Sequence, residues 1–168
     1  MNSQDHFVSL LKTHQNIVHK VCNLYMDRHS EREDLFQEIT LQAWKAFPSF
    51  RGDAKFSTWL YRVALNTAIT FYRKEKRSPQ IYMYDILPES ASEDGLDPIE
   101  IQLKAMYAAI GELSKIDKAI VMLYLEDYAY QDIGEMMGIT ANNVAVKMNR
   151  IKTKLKDEAK KQLEQSYI

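Results

Sequence analysis

"YQDIGEMMGITANNVAVKMNRIKTKLK", residues 130–156, is the stretch whose reading decides the fold. Ile133, Met136 and Met137 form a short apolar stripe at helical spacing. Gly138 falls where that helix has to stop, because a left-handed C-cap is favoured by a residue without a Cβ. Ile139 then reads as a buried anchor and Thr140 as the cap of a second helix. That second helix carries Val144, Met148, Ile151 and Leu155 on one face. Two helices joined by a glycine turn make a helix-turn-helix, whose second helix reads the DNA major groove. A helical hairpin with a lysine-rich solvated face shares the apolar pattern. The glycine, the capping threonine and a polar first turn favour the DNA-reading form.

The other face of the second helix carries the chemistry. Asn142 and Asn143 lie in its first turn, and an asparagine amide matches an adenine edge with two hydrogen bonds. Val146 suits a thymine methyl, and Lys147 and Arg150 suit guanine or phosphate, with Asn149 nearby. Lys152, Lys154 and Lys156 extend the positive charge along the helix toward the phosphate backbone.

Outward from this motif, helical patterning runs back to Ile99 and on to about Ala159. Between Ser78 and Pro98 the periodicity fails, and three of the four prolines fall there with Gly95. This reads as a linker, although its centre, "IYMYDIL", is apolar enough to dock on something. Upstream, Phe7, Leu10, Leu11, Ile17, Val18, Val21, Leu24 and Tyr25 predict a helix over about Asp5–Asp27. Leu35, Phe36, Ile39, Ala43 and Phe47 predict a second, ending before Pro48. Gly52 and Asp53 mark a turn. Thr58 is the expected cap of a third helix, with Leu60, Val63, Ala64, Thr67, Ala68 and Phe71 as its buried stripe. The spacing therefore predicts an all-α chain of two small helical domains, 1–77 and 99–168, joined by an acidic linker at 78–98.

Charge divides the chain in the same way. The net charge is only -1, but Arg51–Arg77 holds seven Lys/Arg against two Asp/Glu, and Gly138–Lys161 holds seven against two. Ser78–Glu100 holds six acidic residues and no basic one. Two basic modules flanking an acidic segment suggest nucleic acid, although solvated helix faces also carry such charge. With 46% apolar residues the chain is able to build a core. A single Cys22 excludes an internal disulfide and reads as a small core residue. The four histidines lack metal spacing, and no phosphate-cradling glycine loop is present, so no catalytic residue, metal or cofactor is expected. The lack of a signal peptide or long apolar run predicts a cytoplasmic protein without membrane insertion.

The stretch 50–68, "FRGDAKFSTWLYRVALNTA", places aromatic rings among Arg51, Lys55 and Arg62. Arg62, Asn66 and Arg73 fall on one helix face, opposite Leu60, Val63 and Ala64. Trp59, Phe71 and Phe56 read as core, and Tyr61 and Tyr72 as exposed rings.

Taken together, "DLFQEITLQAWKAFPSFRGDAKFSTWLYRVALNTAITFYRK" (34–74) and "LSKIDKAIVMLYLEDYAYQDIGEMMGITANNVAVKMNRIKTKLK" (113–156) resemble a bacterial sigma factor of the sigma-70 family. The resemblance is to the extracytoplasmic function (ECF) group, which keeps regions 2 and 4. It implies a non-enzymatic protein that binds core RNA polymerase and directs it to promoter DNA. Region 4 would read the -35 element as duplex through Asn142, Asn143, Val146, Lys147, Asn149, Arg150 and Lys154. Region 2 would hold the melted -10 strand. The resemblance places that site on the loop Arg51, Gly52, Asp53, Ala54, Lys55 and Phe56, with Tyr61, Arg62, Asn66 and Arg73 on the following helix. A flipped base needs a stacking surface and a hydrogen bonder that reads its edge.

The resemblance further implies polymerase docking through Asp34, Gln37, Glu38 and Leu41. It implies an anti-sigma factor as another partner, and a monomer in the holoenzyme. Three departures stand out. Ala129 replaces a usual serine cap worth about 1 kcal/mol. Gly134 replaces a usual alanine, which costs up to about 1 kcal/mol of helix propensity, and the two changes together predict a soft region 4 that firms up on binding. Ala145 replaces a frequent basic residue. Read from the residues alone, other assignments stay open: a DNA-binding regulator that needs no polymerase, an RNA-binding adaptor, or an anti-sigma-like interaction protein.

Overall fold

The computed structural model describes residues 2–75 and 97–166. Seven α-helices and one 3-10 turn account for the described secondary structure: α1 (Ser3–Tyr25), α2 (His29–Ala46), the 3-10 turn (Phe47–Ser49), α3 (Phe56–Glu75), α4 (Pro98–Gly111), α5 (Lys115–Leu125), α6 (Tyr130–Met137) and α7 (Ala141–Ser166). No strand occurs among the described residues. The chain is all-α, as its periodicity predicts. Nearly all of the acidic linker, with its "IYMYDIL" centre, lies outside the described residues.

α1, α2 and α3 pack against one another as a three-helix unit. Their shared interior is Val18, Val21, Leu35, Ile39, Ala43, Leu60 and Ala64, each wholly removed from solvent. Burying each of the larger of these aliphatic side chains stabilises the unit by roughly 1.5–3 kcal/mol. Asn2 caps α1 by accepting the Asp5 N–H at 2.8 Å. α2 stops at the Phe47-Pro48 step, where the chain tightens into the 3-10 turn. Thr58 does not cap α3; it lies inside the first turn and is buried.

α4 to α7 form the second unit, α4 and α6 packing on α7 and α5 on both α6 and α7. Asp97 caps α4 ahead of Pro98, which fits the first helical turn because its missing N–H would be unpaired there anyway. Ser114 caps α5 through the Asp117 N–H at 3.2 Å. α7 continues past the expected end near Ala159 to Ser166.

The two units also touch each other. α3 packs on α6, and α1 on α5. This contact turns α3 further into the interior than its sequence stripe suggests: Tyr61 and Leu65 are buried along with Leu60, Ala64 and Ala68, whereas Val63, Thr67 and Phe71 are only half-buried. Cys22 is buried in α1, as expected, and burial pushes its thiol up to about 12.

Candidate nucleic-acid interface

The loop before α3 is floored by aromatic rings. Phe56 is buried, with its centroid 5.0 Å from His14, 5.6 Å from Phe50 and 5.4 Å from Trp59. Phe50 and Trp59 lie 5.3 Å apart. These rings anchor the loop on α1 and the 3-10 turn, so Phe56 has no exposed face to offer a base. The loop above them is polar and open: Arg51, Gly52, Asp53, Ala54 and Lys55 are all exposed. Gly52 has a φ of 79°, the left-handed conformation in which a side chain is strained.

Arg62 and Asn66, four residues apart on one face of α3, are both exposed. Asn66 also lines a groove between α2 and α3 with Glu38, Gln42, Thr67, Thr70 and Phe71. Arg73 belongs to the last turn of α3 by its backbone, and its side chain lies outside the described residues.

The expectation of exposed rings at Tyr61 and Tyr72 is corrected. Tyr61 is fully buried, and its hydroxyl donates to Glu126 Oε2 at 2.5 Å across the contact between the units. Tyr72 is half-buried, with the Lys115 ammonium 4.4 Å from its ring centroid. The physical reason is the second unit, which covers this side of α3. In this arrangement neither ring is a free stacking platform.

Asp34, Gln37, Glu38 and Leu41, spaced i, i+3, i+4 and i+7, share one face of α2. Asp34 is exposed; Gln37 and Leu41 line an apolar groove with Gln4, Phe7, Val8 and Trp44. Glu38 lines the groove shared with Asn66 and accepts a hydrogen bond from Gln42 at 2.9 Å. Sequence reasoning missed Val8 and Trp44. Trp44 follows Leu41 by three residues, so helical spacing could have found it.

The helix-turn-helix is built as its sequence indicates. Gly138 takes a φ of 73° and ψ of 30°, and its N–H bonds the Gly134 carbonyl. The Ile139 N–H bonds the same carbonyl at 2.9 Å, closing the helix end. Thr140 Oγ1 accepts the Asn143 N–H at 3.1 Å, capping α7. Ala129 sits at the N-cap of α6 with no side-chain bond there.

Gly134 has a stronger reason than propensity. A Cβ at that position would meet the Ile139 carbonyl oxygen at 2.6 Å and the Ala141 nitrogen at 3.2 Å. The missing side chain is what lets the turn close this tightly, so the glycine tightens the motif rather than softening it.

Val144, Met148 and Ile151 are buried against the unit's core. Asn142, Asn143, Val146, Asn149, Arg150 and Lys154 are exposed on the opposite side, and Lys147 is half-buried. Lys152 is turned toward Tyr124, its ammonium 5.3 Å from the ring centroid. Amides, one small apolar side chain and guanidinium and ammonium groups thus share a single solvent-facing strip, the donor and acceptor set that base edges and phosphates require.

The class these features define is an all-α, two-unit DNA-binding protein with a helix-turn-helix in its C-terminal unit. Comparison with known proteins makes the family specific. The family model described as Sigma-70 region 2 matches residues 10–78, and that described as Sigma-70, region 4 matches residues 103–155. The chain is 26% identical over 163 residues to the ECF RNA polymerase sigma factor SigW of Bacillus subtilis, covering 88% of this chain and 85% of the relative. It is 29% identical over 147 residues to the ECF RNA polymerase sigma-E factor of Escherichia coli K12, covering 79% of this chain and 76% of the relative.

Among solved structures it resembles CnrH in complex with the cytosolic domain of CnrY, with a TM-score of 0.64 at 18% identity over 93% of this chain and 88% of that one. It also resembles the sigma factor RpoE bound to the anti-sigma factor NepR from Bartonella quintana, with a TM-score of 0.58 at 18% identity over 94% and 96% of the two chains. The chain belongs to the sigma-70 family and, within it, to the ECF group.

Proposed function

We propose that this protein is a sigma factor that binds core RNA polymerase and directs promoter-specific initiation, through a region 2 unit at 1–77 and a region 4 unit at 99–168. The observation that carries the reading is the pairing, in one chain, of the exposed α7 strip with the exposed basic loop and α3 face. The α7 strip, Asn142, Asn143, Val146, Lys147, Asn149, Arg150 and Lys154, takes the -35 duplex. Loop residues 51–55 with Arg62, Asn66 and Arg73 take the melted -10 strand, phosphates on the arginines and a base edge on Asn66.

The polymerase face is the groove between α1 and α2. Leu41, Trp44 and Val8 supply apolar surface there, each 39–45% exposed, with Gln37 lining it and exposed Asp34 one turn before Gln37 and Glu38 on α2. An apolar centre with a polar rim suits a protein partner. An anti-sigma factor accompanies one solved neighbour, RpoE, and a partner of that kind belongs to this proposal for the present chain. No helix among the described residues is long and apolar enough to cross a membrane.

The test is run-off transcription with bacterial core polymerase on a pool of genomic promoter fragments. Discrete transcripts that require the protein are expected. No such transcripts, together with no co-elution with core enzyme, would refute the reading. Asn66→Ala is expected to reduce promoter melting while leaving core binding intact; equal loss of both removes Asn66 from the single-strand site.

A further inference from the structure

Among the exposed large apolar side chains, Val8, Leu41 and Trp44 line the α1–α2 groove and Val146 lies on the α7 strip. α4 carries three that have no such role. Ile99, Leu103 and Met106 are 63%, 51% and 40% exposed. Their spacing of i, i+4 and i+7 places them in one stripe along the helix. The next residue on that stripe, Ile110, is only 5% exposed and belongs to the core. The stripe is therefore a continuation of the core that runs out from under the C-terminal unit toward the start of α4. It is not the face on which α4 is built into the unit by its small residues, since Ala105 and Ala109, both buried, fall on a different side of the helix. A contiguous apolar stripe of this kind marks a contact surface, whereas single exposed apolar residues do not.

The chain supplies a segment of matching chemistry close by. "IYMYDIL", residues 81–87, is the apolar centre of an otherwise acidic linker, and none of the roles above uses it. Leu87 precedes Asp97, the N-cap of α4, by ten residues. Ten residues reach up to roughly 33–36 Å. The exposed stripe ends at Met106, nine residues past Asp97 and about 14 Å along the helix. The tether is thus more than long enough for the segment to double back onto the stripe.

The same tether favours this occupant over others. A segment on a short flexible linker meets its site at an effective concentration on the order of 1 mM. A second copy, or another protein, present at about 1 μM is outnumbered about a thousandfold before any difference in contacts. Composition agrees. The segment has one charge, Asp85, among Ile81, Tyr82, Met83, Tyr84 and two further aliphatic residues. Tyrosine, with an apolar ring and a polar tip, suits a stripe at the margin of solvent.

We propose that the exposed stripe of α4, Ile99, Leu103 and Met106, is the docking site of the chain's own linker centre, residues 81–87. The segment completes the apolar surface that Ile110 begins and keeps the stripe from pairing with a second copy. The inference concerns the free chain and does not depend on the promoter and polymerase assignments.

A cysteine pair, Met83→Cys with Met106→Cys, tests it in the full chain. Buried Cys22, with its thiol pushed up to about 12, does not compete. Under mild oxidation a disulfide within one chain is expected, forming at a rate that does not change with protein concentration. The control pair is Met83→Cys with Ala108→Cys, where the second thiol takes an exposed position on the far side of α4 from the stripe. It is expected to close at least tenfold more slowly. A second measurement needs no cysteine. Chymotrypsin cuts after the tyrosines and Leu87 of the segment, and Leu103→Asp is expected to raise that rate at least tenfold, while Ala108→Asp leaves it unchanged. Leu103 and Ala108 are both exposed, so neither change opens the core, and circular dichroism confirms helix content.

Equal closure of the two cysteine pairs, fast or absent, overturns the proposal. Cleavage that is indifferent to Leu103→Asp overturns it as well. A disulfide that forms only between chains and rises with concentration gives the stripe to a second copy and removes the linker as its occupant.

Discussion

Replacing Gly134 by alanine sets two effects of opposite sign against each other. In an unconstrained helix the change gains up to about 1 kcal/mol of propensity. Here the new Cβ meets the Ile139 carbonyl oxygen at 2.6 Å, with the Thr140 carbonyl carbon at 3.3 Å and the Ala141 nitrogen at 3.2 Å behind it. To reach ordinary C···O separation the Ile139 carbonyl must retreat by roughly 0.7 Å. All three atoms are backbone, and the Ile139 N–H also bonds Gly134, so no side chain can swing aside. Overpacking of this kind costs about 1–3 kcal/mol, which offsets the propensity gain and leaves a net loss of up to about 2 kcal/mol. Gly111 is the internal control. It ends α4, and a Cβ there meets nothing within 4 Å. Gly111→Ala is therefore expected to stabilise by about 0.4–1 kcal/mol. Urea unfolding of both variants measures the difference, and duplex binding reports whether the entry to α7 has moved. If Gly134→Ala is as stable as Gly111→Ala, the turn yields freely and the close approach is not what selects glycine in this chain.

Three further outcomes are expected. Arg150→Ala should weaken -35 duplex binding and lower its salt slope by about one unit if Arg150 holds a phosphate, or relax preference at one base pair if it holds a base; no change in either places it off the DNA. Leu41→Glu puts a charge at the centre of the α1–α2 groove and should weaken core-polymerase binding at least tenfold, about 1.4 kcal/mol; unaltered co-elution removes that groove as the docking face. Stability should depend on alkaline pH in two stages. Lys115 is lowered to about 8 by burial, Asp27 opposing and Lys118 adding to the shift. Between about pH 8 and its ordinary 10.5, the unfolded chain holds the proton that the folded chain has shed, so stability rises with pH. Above pH 10 the sign reverses, because burial raises Tyr25 to about 12 and burial together with Glu126 raises Tyr61. The folded tyrosines then keep protons the unfolded chain loses. Thermal melts from pH 7 to 11 check this, and a monotonic fall across pH 8–10 would show that Lys115 is not buried as described.

Much of this protein was legible in its sequence, because the relevant signals are local. Gly138, Thr140 and the Val144–Met148–Ile151 stripe set the helix-turn-helix within a few residues of chain, and the exposure of Asn142, Asn143, Asn149 and Arg150 follows from the 3.6-residue period alone. The core positions of Phe56 and Cys22 follow from side-chain type and neighbouring spacing in the same way. Periodicity states which face of a helix is buried by its nearest partners, and it is silent about a second partner arriving from elsewhere. Tyr61 looked exposed because the stripe through Leu60 and Ala64 already accounted for one buried face of α3. Only the packing of α6 on α3 covered it, joining Tyr61 to a carboxylate 65 residues away and that carboxylate to a lysine 106 residues away. Likewise only packing shows that Gln37 and Leu41 border a groove toward α1 and Glu38 one toward α3, since α2 is flanked by both helices. Gly134 is the case at closest range. Propensity marks it as a weakness, and the 2.6 Å approach of the Ile139 carbonyl shows that the turn has closed onto the space where a side chain would stand.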